Sequence, residues 1–224
     1  MSRGSLSRIP ATSVKEPPAS TSAFFALTLP QAWAAISAAA RGARVILADK
    51  GYCGTSGATA PSGTGVWHVE PERALREEAK AARYGMGGEL AEHEWMDRVL
   101  DQTYALSQQL AEWGYPFPVG EDGLQRRTSL QGPEYMRLMR KRAKEAGARI
   151  LDHSPALELL VDEDGTVCGA TGVHRQGPHA GEAWVVRAGA VVIATGGCAF
   201  LSRALGCNVL TGGGLLLAAR AGAG

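Results

Sequence analysis

The spacing of apolar residues near the start of the chain predicts a strand, a helix and a second strand. Residues 24–29 form an apolar run typical of a short buried strand. Apolar positions in residues 30–40 then recur at three- and four-residue steps, as on one face of a helix, and Pro30 suits its first turn. Residues 45–48 predict a buried strand that ends at Asp49. We therefore expect a β-α-β unit with parallel strands.

Helical patterns occupy the middle of the chain, and strand patterns follow them. The predicted helices span residues 71–84, 89–113, about 133–144 and about 214–223. The predicted later strands are 149–151, 156–161, 167–173, 183–187 and 190–194. The fold class is thus α/β, with flanking helices and a small antiparallel meander over 156–187. Its parallel sheet is predicted from the strands near Phe24, Val45, Ile150 and Val191.

Composition narrows the class of protein only slightly. The 224 residues are 45% hydrophobic and 20% charged, which is ordinary for a globular α/β protein. A formal net charge of +1 gives no electrostatic reason to expect a nucleic acid or an anionic membrane as partner. No uninterrupted apolar stretch reaches the roughly 18 residues of a spanning helix, and the start of the chain lacks a signal-peptide pattern. We expect a cytoplasmic protein without a transmembrane segment.

Two further features bear on domain organisation and chemistry. Residues 1–22 are rich in Ser, Pro, Ala and Arg without an apolar period, so we predict a disordered leader and one domain over residues 23–224. The four cysteines are scattered, without a Cys-x-x-Cys and without a His at metal-ligand spacing. They are expected to be buried free thiols rather than metal ligands.

Three segments have the composition of a nucleotide-binding site. Asp49 ends a predicted strand, where an acidic residue can accept hydrogen bonds from ribose hydroxyls, although any strand can end in Asp for solubility. The Gly/Ser/Thr-rich residues 51–65 offer hydroxyls and unobstructed backbone N–H groups, and the alternative for them is a flexible surface loop. Residues 191–197 form an apolar strand that opens on two glycines, which either lets a ligand approach or makes a simple turn.

These segments, together with the run Thr211-Gly212-Gly213-Gly214 and the apolar helix after it, occur in the order found in one family of flavoproteins. The chain resembles the fumarate reductase / succinate dehydrogenase flavoprotein family over residues 32–224, with its nearest likeness to the aspartate-oxidase-like branch. The resemblance implies a Rossmann-like FAD-binding domain. It also implies an FAD-dependent oxidoreductase that passes a hydride through the flavin to or from a small organic substrate such as a dicarboxylate.

The resemblance also implies roles for individual residues, beginning with Asp49 on the adenosine ribose. At the diphosphate and ribityl groups the resemblance implies Lys50, Thr55, Ser56 and Gly57, and near the isoalloxazine it implies Ser62, Gly63 and Thr64. Near the adenine it implies Ala156 and Leu157. On the opposite side of the dinucleotide it implies Ala194, Thr195, Gly196 and Gly197. Replacing Asp49 is expected to weaken FAD binding with little effect on stability, because a polar residue at a strand end buries little apolar area.

The chain departs from the family pattern in ways that affect the cofactor. The first Gly-x-Gly-x-x-Gly turn of the family is replaced by residues 27–32, which contain no glycine, so FAD binding is expected to be weak or absent. Gly213 stands where the family has Asp. No His lies between Tyr52 and Trp67, so we expect non-covalent FAD, unlike the His-linked flavin of the membrane-complex members. The family's capping domain is missing, which indicates the amino-terminal part of a longer enzyme.

Two alternatives to an active oxidoreductase stay open. One is a truncated flavin-binding module without turnover. The other is a nicotinamide-dependent Rossmann protein, which is disfavoured because the long loop and the second glycine cluster suit FAD better. No catalytic residue is assigned. The available cations are expected to be solvated or structural, namely Arg126, Arg127, His153, His174 and Arg203.

Overall fold

The computed structural model describes residues 21–26 and 30–223. The described chain divides into two compact units: the sheet unit, which runs to Ser62 and resumes at Met136, and the helical unit, Gly63–Tyr135. The predicted leader lies outside the described residues except for residues 21 and 22, which begin the first strand. The single domain expected over residues 23–224 contains both units, and no change of composition marks the division between them.

Strands and helices alternate over the first part of the chain, and strands dominate the last part. In chain order the elements are β1 (Thr21–Ala26), α1 (Pro30–Ala39), β2 (Arg44–Asp49), β3 (Gly63–Gly65), α2 (Arg73–Met86), α3 (His93–Glu112), β4 (Ser129–Gln131), α4 (Gly132–Glu145), β5 (Arg149–Leu151), β6 (Ala156–Val161), β7 (Val167–Val173), β8 (Ala183–Arg187), β9 (Ala190–Ala194) and α5 (Gly213–Arg220). A short 3-10 helix, Cys207–Val209, precedes α5.

The sheet unit is built on a four-stranded parallel sheet in the order β5-β2-β1-β9. The central strand β1 pairs with β2 on one side and β9 on the other, which places Phe24 opposite both Leu47 and Val192. The predicted parallel sheet is therefore confirmed in its four strands. Parallel sheets are normally covered on both faces, which is why their strands are almost continuously apolar.

One hydrophobic core covers β2 with α1 and α4. Leu47 and Ala35 are fully buried, and Val45, Ala143 and Ala148 pack in the same cluster. Most of these side chains are alanine, so the helix backbones can lie close to the sheet without leaving voids.

A second core lies between the sheet and the antiparallel meander β6-β7-β8. Ala170 is fully buried, and it packs in one cluster with Ala48, Trp184 and Val186. The meander is confirmed, and the turn over residues 162–165 joins β6 to β7 through a hydrogen bond from the Gly165 N–H to the Asp162 carbonyl at 3.1 Å.

The helical unit contains α2, α3 and the short antiparallel pair β3-β4. Met96, Leu100 and Leu110 are the buried apolar residues of α3. Because β3 is a strand, the expectation that residues 51–65 form a loop throughout is wrong at their end. Two glycines and a threonine offer no apolar alternation, and the partner strand is distant in the sequence, so the pattern could not reveal this pairing.

The lengths and compositions of the helices within residues 21–26 and 30–223 bear on membrane insertion. None of them combines the length and the apolar composition that crossing a bilayer requires.

The substitution Leu47→Ala tests the first core. It is expected to lower the free energy of unfolding by about 2–5 kcal/mol, because the side chain is fully buried and its removal leaves a cavity. Leu201→Ala is the matched control in the same unit. That leucine is 79% exposed, and its loss should change the free energy by less than about 0.5 kcal/mol. Equal losses in chemical denaturation would contradict the position of this core.

Candidate functional site

The sheet unit has a cavity of about 220 Å³ at the carboxyl ends of β2 and β9. Lys50 follows β2 and Thr195 follows β9, and both line the cavity together with Ala156 and Leu157 at the start of β6. Another wall comes from residues 211–214, which lead into α5. Open parallel sheets bind their ligands outside the carboxyl ends of the strands, so the cavity occupies the expected place for a ligand.

Glycine at the start of α5 allows this helix to begin directly against β9. Gly214 is buried, and a Cβ built on it would overlap the Thr195 side chain, at 2.9 Å from the Thr195 Cβ. Gly212, with φ of 72°, turns the chain into the helix, and its N–H donates to the Gly197 carbonyl at 3.2 Å. The first N–H groups of a helix have no partner within it and form the positive end of its dipole. This wall therefore favours an anionic group.

Lys50 adds a basic side chain to the same wall. Its Nζ donates to Oγ1 of Thr211 at 2.9 Å. Burial lowers the pKa of the Lys50 ammonium, and the neighbouring Asp49 carboxylate opposes that shift. An ammonium group has three donors, so the bond to Thr211 leaves donors for a ligand.

Asp49 lies between two residues that line the cavity, but its own side chain is buried in the loop that follows β2. The residue is 2% exposed. One carboxylate oxygen accepts the Gly51 N–H and the other accepts the Ser56 hydroxyl, each at 2.8 Å. Burial raises the pKa of Asp49, and these two hydrogen bonds oppose the rise. The sequence pattern did not predict that this carboxylate is buried.

An ion pair between α4 and the segment after β5 fixes the start of that loop. Arg140 donates to both carboxylate oxygens of Asp152, at 2.8 and 2.6 Å, and to the Cys53 carbonyl at 2.6 Å. The Cys53 N–H donates to Asp152 at 2.8 Å, and the guanidinium lies 4.0 Å from the centre of the Tyr52 ring. Burial disfavours ionisation of Asp152, but the hydrogen bonds from Arg140 and Cys53 outweigh it and lower the pKa of this carboxyl.

The cysteines are free thiols, as the sequence predicts, but only Cys53 is buried. Burial raises the pKa of the Cys53 thiol to about 12. Cys198 is exposed, and Cys168 and Cys207 are half-buried, so the expectation of four buried thiols is wrong for these three. A strand or loop position alone does not fix which way a short side chain faces.

The structure brings part of the sequence-predicted site together. The predicted residues that line the cavity are Lys50, Ala156, Leu157 and Thr195. The predicted residues outside its lining are Asp49, Thr55, Ser56, Gly57 and Ser62 around the loop after β2, Ala194, Gly196 and Gly197 at the end of β9, and Gly63 and Thr64 in β3 of the helical unit. Residues 27–29 of the glycine-free turn lie outside the described residues.

Sequence reasoning did not assign a cofactor role to residues 211–214 or to Leu217, which line the cavity. Their signal was present, because three glycines directly before an apolar helix are typical of a helix start that a ligand can approach. Their proximity to Lys50 depends on the long connection from Gly197 to Gly212, which no local pattern could predict.

Comparison with known families identifies the family to which the chain is similar. The sequence profile described as FAD binding domain matches residues 32–224. Comparison with curated protein sequences gave no match.

Three solved structures share the fold at low identity. The FrdA subunit of E. coli quinol fumarate reductase, in a mutant form, is 22% identical with a TM-score of 0.70, over 84% of this chain and 34% of that chain. The 3-ketosteroid-Δ4-(5α)-dehydrogenase of Rhodococcus jostii RHA1 is 20% identical with a TM-score of 0.72, over 96% and 56%. A flavocytochrome c3 fumarate reductase is 22% identical with a TM-score of 0.67, over 93% and 41%. The chain therefore spans between 34% and 56% of these proteins.

The substitution Gly214→Ala tests the wall formed by α5. The added methyl group would overlap Thr195, so the helix has to move away from β9 and the cavity should lose its shape. We expect a lower melting temperature and at least about tenfold weaker FAD binding in a fluorescence titration, equivalent to about 1.4 kcal/mol.

Gly213→Ala is the matched control, because the nearest heavy atom to its new Cβ would be Oγ1 of Thr211 at 3.9 Å. Alanine also favours a helix by roughly 0.5–1 kcal/mol over glycine, so this variant should melt no lower than the parent protein. An equal fall in melting temperature for the two variants would contradict the close approach of α5 to β9.

The substitution Asp152→Asn tests the ion pair that holds the loop. The pKa of Asp152 is lowered in the folded protein. The ionised carboxylate therefore stabilises the fold fully above the ordinary pKa of 3.8. This stabilisation is lost as the pH falls from 3.8 through the lower pKa of the folded protein. We expect the variant to lose about 1–3 kcal/mol of unfolding free energy at pH 7, because the partly buried Arg140 loses a charged acceptor. The difference should shrink in acid.

Glu94→Gln is the control for this charge, since Glu94 pairs with Arg98 at 2.6 Å on an exposed helix surface. Its loss should cost no more than about 0.5 kcal/mol at either pH. A pH-independent loss in Asp152→Asn would show that the side chain acts through packing instead of charge.

Proposed function

The chain belongs to the FAD binding domain family over residues 32–224, and we propose that it holds part of the FAD molecule in the cavity of the sheet unit. The observation that carries this proposal is the wall where α5 begins against Thr195, with Lys50 hydrogen-bonded to Thr211 beside it. An anionic diphosphate and a flat ring both require a surface with donors and without bulky side chains.

The dimensions of the cavity limit what it can hold. Its volume of about 220 Å³ is below the roughly 300–1,000 Å³ of pockets that enclose a drug-sized ligand. It therefore suits one portion of a dinucleotide. Glycines at 212–214 leave the space that side chains would fill, so the residues present fit the cofactor.

We propose a role for each group of residues that lines the cavity. Lys50 and the first N–H groups of α5 would bind a phosphate, and the Thr195 hydroxyl would donate to the dinucleotide from the β9 side. Ala156 and Leu157 would supply apolar surface and backbone to the adenine. The roles implied by family resemblance for the other residues stay predictions, namely Asp49, Thr55, Ser56, Gly57, Ser62, Gly63, Thr64, Ala194, Gly196 and Gly197.

The activity we propose for the whole protein is that of an FAD-dependent oxidoreductase. When bound, the flavin would supply hydride transfer to or from a small organic substrate, for which the family resemblance favours a dicarboxylate. The loop between Tyr52 and Trp67 contains no His, which supports non-covalent FAD. We propose a cytoplasmic location. Because the chain spans 34% to 56% of the compared proteins, a module that binds flavin without turnover is the alternative function.

Flavin titration tests the proposed cofactor. Purified protein mixed with FAD should give weak but saturable fluorescence quenching, whereas NAD should neither bind nor compete. A variant with Gly-x-Gly-x-x-Gly at residues 27–32 should bind FAD at least about tenfold more tightly, because glycines lack the side chains that hinder a close approach to the pyrophosphate. Absence of quenching in both proteins would contradict FAD binding. Equal affinity in the two would contradict the role of the glycine-free turn.

A further inference from the structure

A short segment at the start of β6 forms the part of the cavity that is proposed to contact the adenine. Pro155, Ala156 and Leu157 line the cavity, and we call these three residues the bulge wall. Ala156 lies opposite Gly172 of β7, and Glu158 lies opposite the neighbouring residue of β7. Leu157 is therefore the extra residue of a β-bulge, which is left out of the strand pairing and has its side chain re-aimed. The place of the bulge wall depends on what fixes the residue before it.

Ser154, the residue before the bulge wall, is fully buried and is held from two sides. Its N–H donates to the Asp49 carbonyl at 2.7 Å, which ties it to the end of β2. Its hydroxyl oxygen lies 2.8 Å from the Asp152 carbonyl and 2.9 Å from Nδ1 of His174. A carbonyl can only accept, so the hydroxyl proton goes to Asp152, and the Ser154 oxygen accepts the Nδ1–H of His174.

His174 is the first residue after β7, and the connection to β8 fixes its backbone. Its N–H donates to the Glu182 carbonyl at 2.9 Å, and its carbonyl accepts the Gly181 N–H at 2.7 Å. Burial and the neighbouring His179 lower the pKa of His174, which favours the neutral ring with a single N–H. Because that N–H lies at Nδ1, the imidazole is a fixed donor to Ser154.

Two backbone hydrogen bonds accompany the bond from the His174 side chain. The Val173 N–H donates to the Pro155 carbonyl at 3.3 Å, and the Arg175 N–H donates to the His153 carbonyl at 2.7 Å. The end of β7 therefore holds the segment on both sides of the side-chain bond. Loss of that bond would free the middle of a segment whose two ends stay attached, so we expect a local shift of the bulge wall and an intact fold.

We infer that His174 is a positioning residue for adenine recognition, which acts through Ser154 to set the place of the bulge wall against the cavity. The inference rests on the proposed binding of FAD in the sheet unit and deepens it, because it assigns the adenine end of the cofactor to a wall that one imidazole positions. The residues that line the cavity, among those the structure describes, do not include His174.

The variants His174→Ala and His174→Asn test the inference with three probes, namely FAD, ADP and inorganic pyrophosphate. FAD binding is measured by fluorescence quenching, and the other two by titration calorimetry. ADP carries the adenine, whereas pyrophosphate carries only the charge that Lys50 and α5 would bind. His174→Ala should weaken FAD and ADP by about tenfold each and leave pyrophosphate affinity unchanged. An asparagine amide N–H can take the place of Nδ1–H, so His174→Asn should restore most of the affinity.

The variant Ser154→Ala removes the acceptor of the same bond and repeats the test if His174→Ala does not fold. It should give the same selective loss, and the double variant with His174→Ala should lose no more, because both substitutions break one shared hydrogen bond. His179→Ala is the matched control in the same connection. Its imidazole is 65% exposed and pairs with Glu182, so its loss should change none of the three affinities.

Two results would overturn the inference alone. One is a parent protein and a His174→Ala variant that bind FAD and ADP equally tightly. The other is an equal loss of pyrophosphate and ADP affinity, because a general loosening of the sheet unit would act on both probes. A parent protein that binds neither FAD nor ADP would remove the proposed function, and the inference with it.

Discussion

The approach of α5 to the end of β9 is the constraint on which the candidate site depends. It is possible because Gly214 has no side chain where the helix meets Thr195. The same approach brings Thr211 within 2.9 Å of the Lys50 ammonium and so joins the ends of two parallel strands across the cavity. A larger residue at 214 would move α5 away from Thr195, and the cavity would lose the wall that residues 211–214 form.

Two carboxylates with opposite electrostatic surroundings hold the loop beside this wall. Asp152 is stabilised in its ionised form by Arg140 and Cys53, so its contribution to stability grows as the pH rises through its lowered folded pKa toward 3.8. Burial raises the pKa of Asp49, so between 3.8 and that raised value its contribution falls as the pH rises. Ionisation of Asp49 is therefore less favourable in the folded protein than in the unfolded chain, and the hydrogen bonds from Gly51 and Ser56 oppose this effect.

The sequence predicted the parts of the fold that depend on local patterns. Apolar runs located all four parallel strands, and the change of period after residue 148 located the meander. The β3-β4 pair was not predicted, because the two glycines and one threonine of β3 show no alternation of apolar and polar residues. In the site, Lys50, Ala156, Leu157 and Thr195 were assigned through family resemblance and do line one cavity. The burial of Asp49 could not be predicted, since it depends on how residues 51–56 fold back over a strand end.

The account's central claim is that FAD lies at the carboxyl ends of β2 and β9. The most direct test is a crystal structure of the protein with FAD bound. The account predicts cofactor density in the cavity, with a phosphate within hydrogen-bond distance of Lys50 or of the first N–H groups of α5, and with Thr195 in contact with the dinucleotide. Cofactor density confined to the helical unit, with the cavity between Lys50 and Thr195 free of it, would contradict the account.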